Sequence, residues 1–382
     1  MGRIKLGADQ IYIGGDALEV LSGLQGKKAF IVESGTFNRQ AGFEKMVADR
    51  LEQAGIEWEA FTEVEPEPCF DTIVKGARRL REFQPEWIIG FGGGSAMDAA
   101  KVMWAFYENG ADSYEEFRQN GGIRCLGEKA RLICIPTSSG TGSEVTKAAV
   151  IKDSKTHVKY PIADMQWRLV PGIAILYPPF TCTMPADFTA ACGMDAVTHA
   201  VEAWVSRSAN AFSNAMAAGA FRLAAGSILT ACASPEDGAA REAMLEASCM
   251  AGIAFTNSSL GIAHAVSHAY GGFTGLPHGL INAVILPYVI RYNSGQEQTK
   301  AKYQELAQMA GAENLEDFIK DLNLQMAIPR FLAAIPGTPA VSAEEWDEIT
   351  EAALADVNLK GNPRETGRAE MKELILQMYQ GE

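Results

Sequence analysis

A short apolar run, Trp87-Ile88-Ile89-Gly90-Phe91, breaks off at Gly92-Gly93-Gly94-Ser95 and gives way to helix-forming sequence that opens with Asp98-Ala99-Ala100-Lys101. A run that is apolar at successive positions, rather than at alternate ones, suits a strand covered on both faces, the condition of a parallel sheet. The same order recurs on either side of it. Lys27 to Glu33, with Ala29-Phe30-Ile31-Val32 at its centre, ends in Ser34-Gly35 and is followed by a predicted helix from about Arg39 to Ala54. Pro66 and Pro68 punctuate the next stretch, and apolar residues at helical spacing predict a helix from Phe70 to Phe83. A further strand, Arg131 to Ile135, runs into a loop of small residues, Pro136-Thr137-Ser138-Ser139-Gly140-Thr141-Gly142-Ser143. Alternating strands and helices predict an open, largely parallel sheet with ligands beyond the carboxyl ends of its strands, where both glycine-rich loops fall.

Beyond about Pro185 the β-branched runs thin out and Ala, Met and Glu become dense. Asp187 to Ser206 and Ala211 to Ala231 are predicted helices, Ala231 to Gly238 a surface loop, and the second half all-α. A chain of 382 residues exceeds one ordinary domain. The expected division is an α/β dinucleotide-binding domain over residues 1–182 and an all-helical, metal-binding and catalytic domain over 183–382, with the boundary in the proline-punctuated stretch Pro178 to Pro185. A net charge of −14 counts against nucleic acid or an anionic membrane as partner. The N-terminus has no apolar signal segment, and no stretch approaches about 20 uninterrupted apolar residues, so a cytoplasmic location is expected. The seven cysteines are scattered without a C-x-x-C pair, which suggests neither a disulfide framework nor a thiolate zinc site.

Glycines between a buried strand and a helix let backbone amides approach a pyrophosphate while the helix dipole favours its charge. Gly92, Gly93, Gly94 and Ser95 therefore read as a dinucleotide cradle, although the pattern is neither G-x-G-x-x-G nor a Walker loop, and a tight structural turn is the alternative. The hydroxyls of Thr137, Ser138, Ser139, Thr141 and Ser143 suit a lining for phosphate, ribose or amide; capping of the following helix is the alternative there.

Four of the five histidines fall in two apolar helical stretches. Asp195 and His199 are four residues apart, hence one turn apart on one helix face, and His264 and His268 repeat that spacing; His278 follows after a turn. Polar groups in such surroundings are costly to bury without a partner. Three imidazoles and a carboxylate suit a divalent first-row metal, with Fe, Zn, Ni and Co left open by ligand type. The fifth histidine, His157, sits among Lys155, Lys159 and Asp153 and reads as a solvated strand-edge residue.

Taken together, GGGSAMDAAK (Gly92 to Lys101), PTSSGTGSEVT (Pro136 to Thr146), GMDAVTHAVE (Gly193 to Glu202), the HAVSH to PHG segment (His264 to Gly279) and NPR (Asn362 to Arg364) make the chain resemble, over essentially its whole length, the iron-containing (group III) alcohol dehydrogenases. The resemblance implies a Rossmann-like N-terminal α/β domain, a C-terminal helical domain and an active site in the cleft between them. It implies Asp195, His199, His264 and His278 as ligands of a divalent metal, Fe2+ or alternatively Zn2+. His268 would lie outside the ligand set, near substrate and nicotinamide, as the catalytic proton relay. Gly94 and Ser95 would meet the pyrophosphate of NAD or NADP, Thr137, Ser138 and Thr141 would line the cofactor, Lys159 would reach its ribose or phosphate, and Asp98 completes the cofactor set. A metal-polarised alcohol or aldehyde oxygen and hydride transfer with the nicotinamide would follow. The implied partners are a small alcohol or aldehyde substrate and further copies of the chain, as a homodimer or larger homo-oligomer.

The chain departs from the family pattern at two points. Many relatives carry Asp at the end of the first strand, whereas Ser34 stands here, preceded by Glu33 and followed by Gly35-Thr36. A neutral Ser34 tolerates a 2′-phosphate better than a carboxylate does, while Glu33 is a candidate ribose acceptor, so both dinucleotides stay open. Tyr177-Pro178 replaces a common Asp-Pro. The expected activity is an alcohol dehydrogenase or aldehyde reductase acting on small primary alcohols or diols. A polyol dehydrogenase, a lyase-like synthase on the same architecture and a non-catalytic nucleotide or metal sensor are the competing readings. Phe255 and Phe273 are candidate pocket walls and equally candidate core residues.

Overall fold

The strands expected from the apolar runs lie side by side in one sheet. The structure, a computed structural model, describes residues 3–154 and 159–382, with only the backbone of Lys159. Lys5–Thr183 form one compact unit and Met184–Glu382 make up nearly all of a second.

In the first unit β1 (Gln10–Ile13), β2 (Lys28–Glu33), β3 (Glu57–Phe61), β4 (Trp87–Gly92), β5 (Arg131–Pro136) and β8 (Ile173–Leu176) form a sheet in the order β1-β8-β5-β4-β2-β3. Every pairing in it is parallel. Alternate residues of each strand serve opposite faces: Phe30, Val32 and Ile88 join one core, Ala29, Ile31 and Ile89 the other. The first core includes α3 (Phe70–Phe83) and α4 (Gly94–Asn109), the second α2 (Phe43–Gln53). Gly90 lets α4 lie close on the sheet, since a Cβ there would come within 2.9 Å of Ala100 Cβ and 3.2 Å of the Met97 Cα.

The chain runs from β2 outward to β3 and returns on the other side of β2 as β4, so strand order reverses between β2 and β4, where open α/β sheets bind their ligands. Glu33 is in register with Phe91, and Gly92 with Pro136. Ser34, Gly93 and Thr137 therefore leave the sheet beside one another.

Three local expectations are corrected. The predicted helix from Arg39 to Ala54 is broken into α1 (Phe37–Gln40) and α2, because Gly42 takes a left-handed φ of 77°. The helix after the glycines starts at Gly94 rather than Asp98, so Gly94 and Ser95 form its first turn. A short helix α5 (Tyr114–Gln119) and an antiparallel pair, β6 (Ala148–Lys152) with β7 (Lys159–Ala163), complete the unit; the residue pattern predicts neither, nor β1.

No strand follows β8 among the described residues. The second unit is built from α6 (Ala186–Val205), α7 (Ala211–Ala233), α8 (Gly238–Ser258), α9 (Ile262–Thr274), α10 (His278–Asn293), α11 (Glu297–Met309), α12 (Leu315–Gln325), α13 (Ala343–Ala355) and α14 (Arg368–Gln380). Helix α7 is long and apolar enough by composition to cross a membrane, yet its Ala217, Ala220, Phe221, Ala224 and Ile228 stripe is buried, mostly in the core shared with α6 and α8. Tight packing also positions α10, where a Cβ on Gly279 would collide with the Ala191 carbonyl of α6.

Candidate functional site

The two glycine-rich loops come first in the chain. Gly92 has a φ of 149°, a conformation L side chains rarely adopt, and turns the chain from β4 into α4. The capping position, Gly93, has no side chain to offer, so the first amides of α4 are left for another acceptor. The second loop lies against the first: a Cβ on Gly94 would come within 2.9 Å of Thr141 Cγ2, one on Gly93 within 3.4 Å of Ser138 Oγ, and Thr137 N–H donates to the Gly92 carbonyl at 3.0 Å. Ser95 Oγ accepts from Glu67 N–H at 3.3 Å.

Asp98 and Lys101 hold this arrangement from below. Asp98 Oδ1 accepts the Ser143 hydroxyl at 2.6 Å and Oδ2 the Val150 N–H at 2.8 Å, so both oxygens are engaged by the second loop and β6. The expected cofactor residue Asp98 thus acts here as a brace for the loop. Fully buried Lys101 places Nζ 2.9 Å from Ser143 Oγ, 2.9 Å from Thr146 Oγ1 and 3.0 Å from each of the Thr146 and Ala148 carbonyls, four acceptors for its three N–H bonds. The side chain of Lys159 and all of His157 lie outside the described residues.

Ser34 is half-buried at the end of β2. Glu33 is corrected as a ribose acceptor: its side chain is buried, and its Oε2 accepts from Asn38 Nδ2 at 3.0 Å. Burial, reinforced by Glu44, pushes the Glu33 carboxyl up to about 8. The folded chain therefore holds a proton that the unfolded chain releases above about 4.5, and stability falls as pH rises through that window. Glu33→Gln keeps the site neutral throughout and is expected to gain about 3 kcal/mol on the wild type between pH 5 and pH 8. Urea unfolding at the two pH values checks this; a constant difference would show Glu33 to be ionised in the fold.

In the second unit, α6 carries Asp195 and His199, α9 carries His264 and His268, and His278 opens α10. Asp195, His199 and His264 are buried, with potential ligand atoms within 4.8 Å of one another. Asp195 Oδ1 lies 3.7 Å from His264 Nε2 and 3.6 Å from His278 Nε2, and Asp195 Oδ2 lies 4.0 Å from His199 Nδ1. Donors bound to one cation at about 2.1 Å in tetrahedral array are about 3.4 Å apart, so these separations fit a shared ion. His199 is stacked between Phe255, at 4.5 Å, and His264, at 4.4 Å, which makes Phe255 a wall of this cluster; Phe273 is partly exposed.

Sequence reading missed the residues that surround the cluster. Asn282, one turn beyond His278, places Nδ2 2.8 Å from Asp195 Oδ1, 3.0 Å from His278 Nε2 and 3.3 Å from His264 Nε2. The Asn282 amide, the Asp195 carboxylate oxygen and the two Nε2 atoms thus converge on one small volume, the arrangement that donors sharing a cation take. Each outer ring nitrogen of three histidines also has a partner: His264 Nδ1 lies 2.6 Å from Glu202 Oε2, His278 Nδ1 2.8 Å from Ser267 Oγ, and His268 Nδ1 2.8 Å from Asp356 Oδ2. Glu202 and Asn282 were legible by spacing, at i+3 from His199 and i+4 from His278. Asp356, 88 residues from His268, gave no local signal.

Electrostatics follow from this geometry. Burial disfavours the Asp195 carboxylate, but His199, His264 and His278 outweigh it and hold Asp195 well below the usual carboxylate range. Burial likewise opposes charge on His264, yet Asp195 and Glu202 push its pKa up to about 9. His268 stands apart from the four, its ring stacked 5.1 Å from that of His278 and 30% of its side chain exposed.

Comparison with known proteins agrees with the two-part organisation. Residues 8–178 match the family model described as iron-containing alcohol dehydrogenase, and residues 189–379 match that of the C-terminal part of the Fe-containing alcohol dehydrogenase family. The chain is 38% identical to an NADPH-dependent butanol dehydrogenase from Clostridium saccharobutylicum, covering 100% of this chain and 99% of the relative. It is 37% identical to aldehyde-alcohol dehydrogenase 2 of Entamoeba histolytica over 92% of this chain, and spans only 43% of that protein. The solved structure of a 1,3-propanediol oxidoreductase superposes with a TM-score of 0.89 at 33% identity, covering 99% of this chain and 100% of the other. With both halves matched and full-length likeness in sequence and fold, the chain belongs to the iron-containing alcohol dehydrogenase family.

Proposed function

We propose that the protein is a metal-dependent alcohol dehydrogenase and aldehyde reductase that moves a hydride between a small primary alcohol or diol and NAD(P). The reading is carried by one observation, the convergence of Asp195 Oδ1 with His264 Nε2 at 3.7 Å and His278 Nε2 at 3.6 Å, beside His199, in a buried cluster. Asp195, His199, His264 and His278 are the residues to hold the divalent cation, Fe2+ or Zn2+, which supplies Lewis acidity towards an alcohol or carbonyl oxygen while NAD(P) supplies the hydride chemistry. The division of labour places the nucleotide within residues 1–182 and the metal within 183–382.

The chain's own part is binding, orientation and proton movement. Gly92, Gly93, Gly94 and Ser95 present the open end of α4 to the pyrophosphate, and Thr137, Ser138 and Thr141 line the dinucleotide. Ser34 leaves room and no opposing charge for a 2′-phosphate, in keeping with the NADPH named for the Clostridium relative. His268, oriented through Nδ1 by Asp356 and partly exposed, carries the proton between the reacting oxygen and water. Phe255 covers one face of His199 and excludes water there.

Protein stripped of metal under anaerobic conditions, reloaded with Fe(II) or Zn(II) and given 1-butanol or 1,3-propanediol is expected to reduce NADP, and the metal-free sample is not. NADP is expected to bind at least as tightly as NAD, as measured side by side by fluorescence titration. Absence of turnover with every alcohol, aldehyde and metal would favour a nucleotide or metal sensor on the same fold.

A further inference from the structure

We propose that Glu202 is a positioning residue of the metal centre, holding His264 in the tautomer and ring orientation that turn Nε2 towards Asp195 and His278. The proposal rests on the centre being a cation site, as in the function proposed above. Asp195, His199 and Glu202 follow one another at spacings of four and three, so α6 presents all three on one face. The Glu202 side chain is 3% exposed. Its Oε2 lies 2.6 Å from His264 Nδ1, and its Oε1 accepts the Ala263 N–H at 2.7 Å. One carboxylate thus grips the first turn of α9 twice, once by backbone and once by ring.

The fit leaves no slack. A Cβ on Gly261 would come within 3.0 Å of Glu202 Oε1 and 2.8 Å of Asn362 Oδ1, the atom that accepts the Ile262 N–H. A carboxylate can only accept, so it selects the Nδ1–H form of His264 and leaves the Nε2 lone pair for a cation. His278 has a hydroxyl in the corresponding place, Ser267, whose Oγ lies 2.8 Å from His278 Nδ1 and donates to the His278 carbonyl at 3.2 Å.

A purely structural role, capping α9, predicts different results from a positioning role. Glu202→Gln can still accept from Ala263 N–H, but its NH2 group then faces His264 Nδ1 and drives the ring proton to Nε2. The opposite amide orientation sets two N–H donors against each other at Ala263. Glu202→Ala removes both contacts. Metal-free wild type and variants are titrated with Zn(II) against a chromophoric chelator, and their metal-free unfolding temperatures are recorded. Glu202→Gln is expected to bind zinc about 10- to 100-fold more weakly while unfolding close to the wild type, and Glu202→Ala to lose on both measures. Zinc affinity in Glu202→Gln within about threefold of the wild type would overturn the proposal and leave Glu202 a helix cap. Ring 15N shifts of the zinc-loaded wild type give a check that needs no variant: Nδ1 of His264 is expected to carry the proton, and a metal-bound Nδ1 would overturn the proposal. Wild type that takes up no metal would sink the proposed function as well, whereas equal affinity of wild type and Glu202→Gln sinks only the positioning role.

Discussion

Asp195→Asn protein, reloaded with Zn(II) or Fe(II), is expected to retain less than about a tenth of the wild-type metal and to lose turnover by about 100-fold or more. The substitution keeps the shape and removes the charge that sits 3.6–4.0 Å from ring nitrogens of three histidines. Asp195 is held ionised against the penalty of burial by those histidines. The same contacts explain why an amide cannot replace it: Asn offers one acceptor oxygen and brings two further N–H donors into a cluster where Asn282 already donates. Metal content per chain and alcohol-dependent reduction of NADP are the measurements. Unchanged metal content would remove Asp195 from the ligand set.

Lys101→Met is expected to cost about 3–5 kcal/mol of folding stability, because it removes the cation of a buried pair and leaves the anion in place. Met nearly fills the volume, so packing is not the cause. Ser143 Oγ lies between the partners, donating to Asp98 Oδ1 at 2.6 Å and accepting from Lys101 Nζ at 2.9 Å. Thr146 and Ala148 lose their donor at the same time. The loop from Pro136 to Thr146 is then released from α4, and NADP affinity is expected to fall with stability. Urea denaturation gives the first quantity and fluorescence titration the second. A double variant with Asp98→Asn is expected to be less damaged than the two separate losses added together, since the second change removes the stranded charge. A loss under about 1 kcal/mol for Lys101→Met would mean that the pair contributes little.

Much of the fold is legible in the amino-acid sequence, for physical reasons. Strands buried on both faces are written as continuous apolar runs, which is why β2, β4 and β5 lie within a residue or so of the runs that predict them. The helix Phe70 to Phe83 matches its prediction at both ends, because its apolar face repeats with the helical period. Edge strand β1 is four residues long and only partly buried, so no run announces it. The break at Gly42 depends on a left-handed glycine that also fits inside a helical pattern. At the site, the ligand types and their four-residue spacing point to a metal, but the direction of Glu33 into the core does not follow from its place beside Ser34. That direction is set by Asn38, whose amide also donates to the Phe91 carbonyl of the neighbouring strand at 3.3 Å. Tyr177, whose ring packs edge-on against Phe180, has no functional explanation in the structure.

The register that sets Gly92 opposite Pro136, with the Gly92 carbonyl taking the Thr137 amide, writes the spacing of the two loops into the main chain rather than into any side chain. Evolution and protein engineering alike can then treat the side chains at 34, 36 and 137 as exchangeable fittings on a fixed frame. Under the function proposed above, coenzyme preference in such a unit would be open to change by a few substitutions, with no new architecture required.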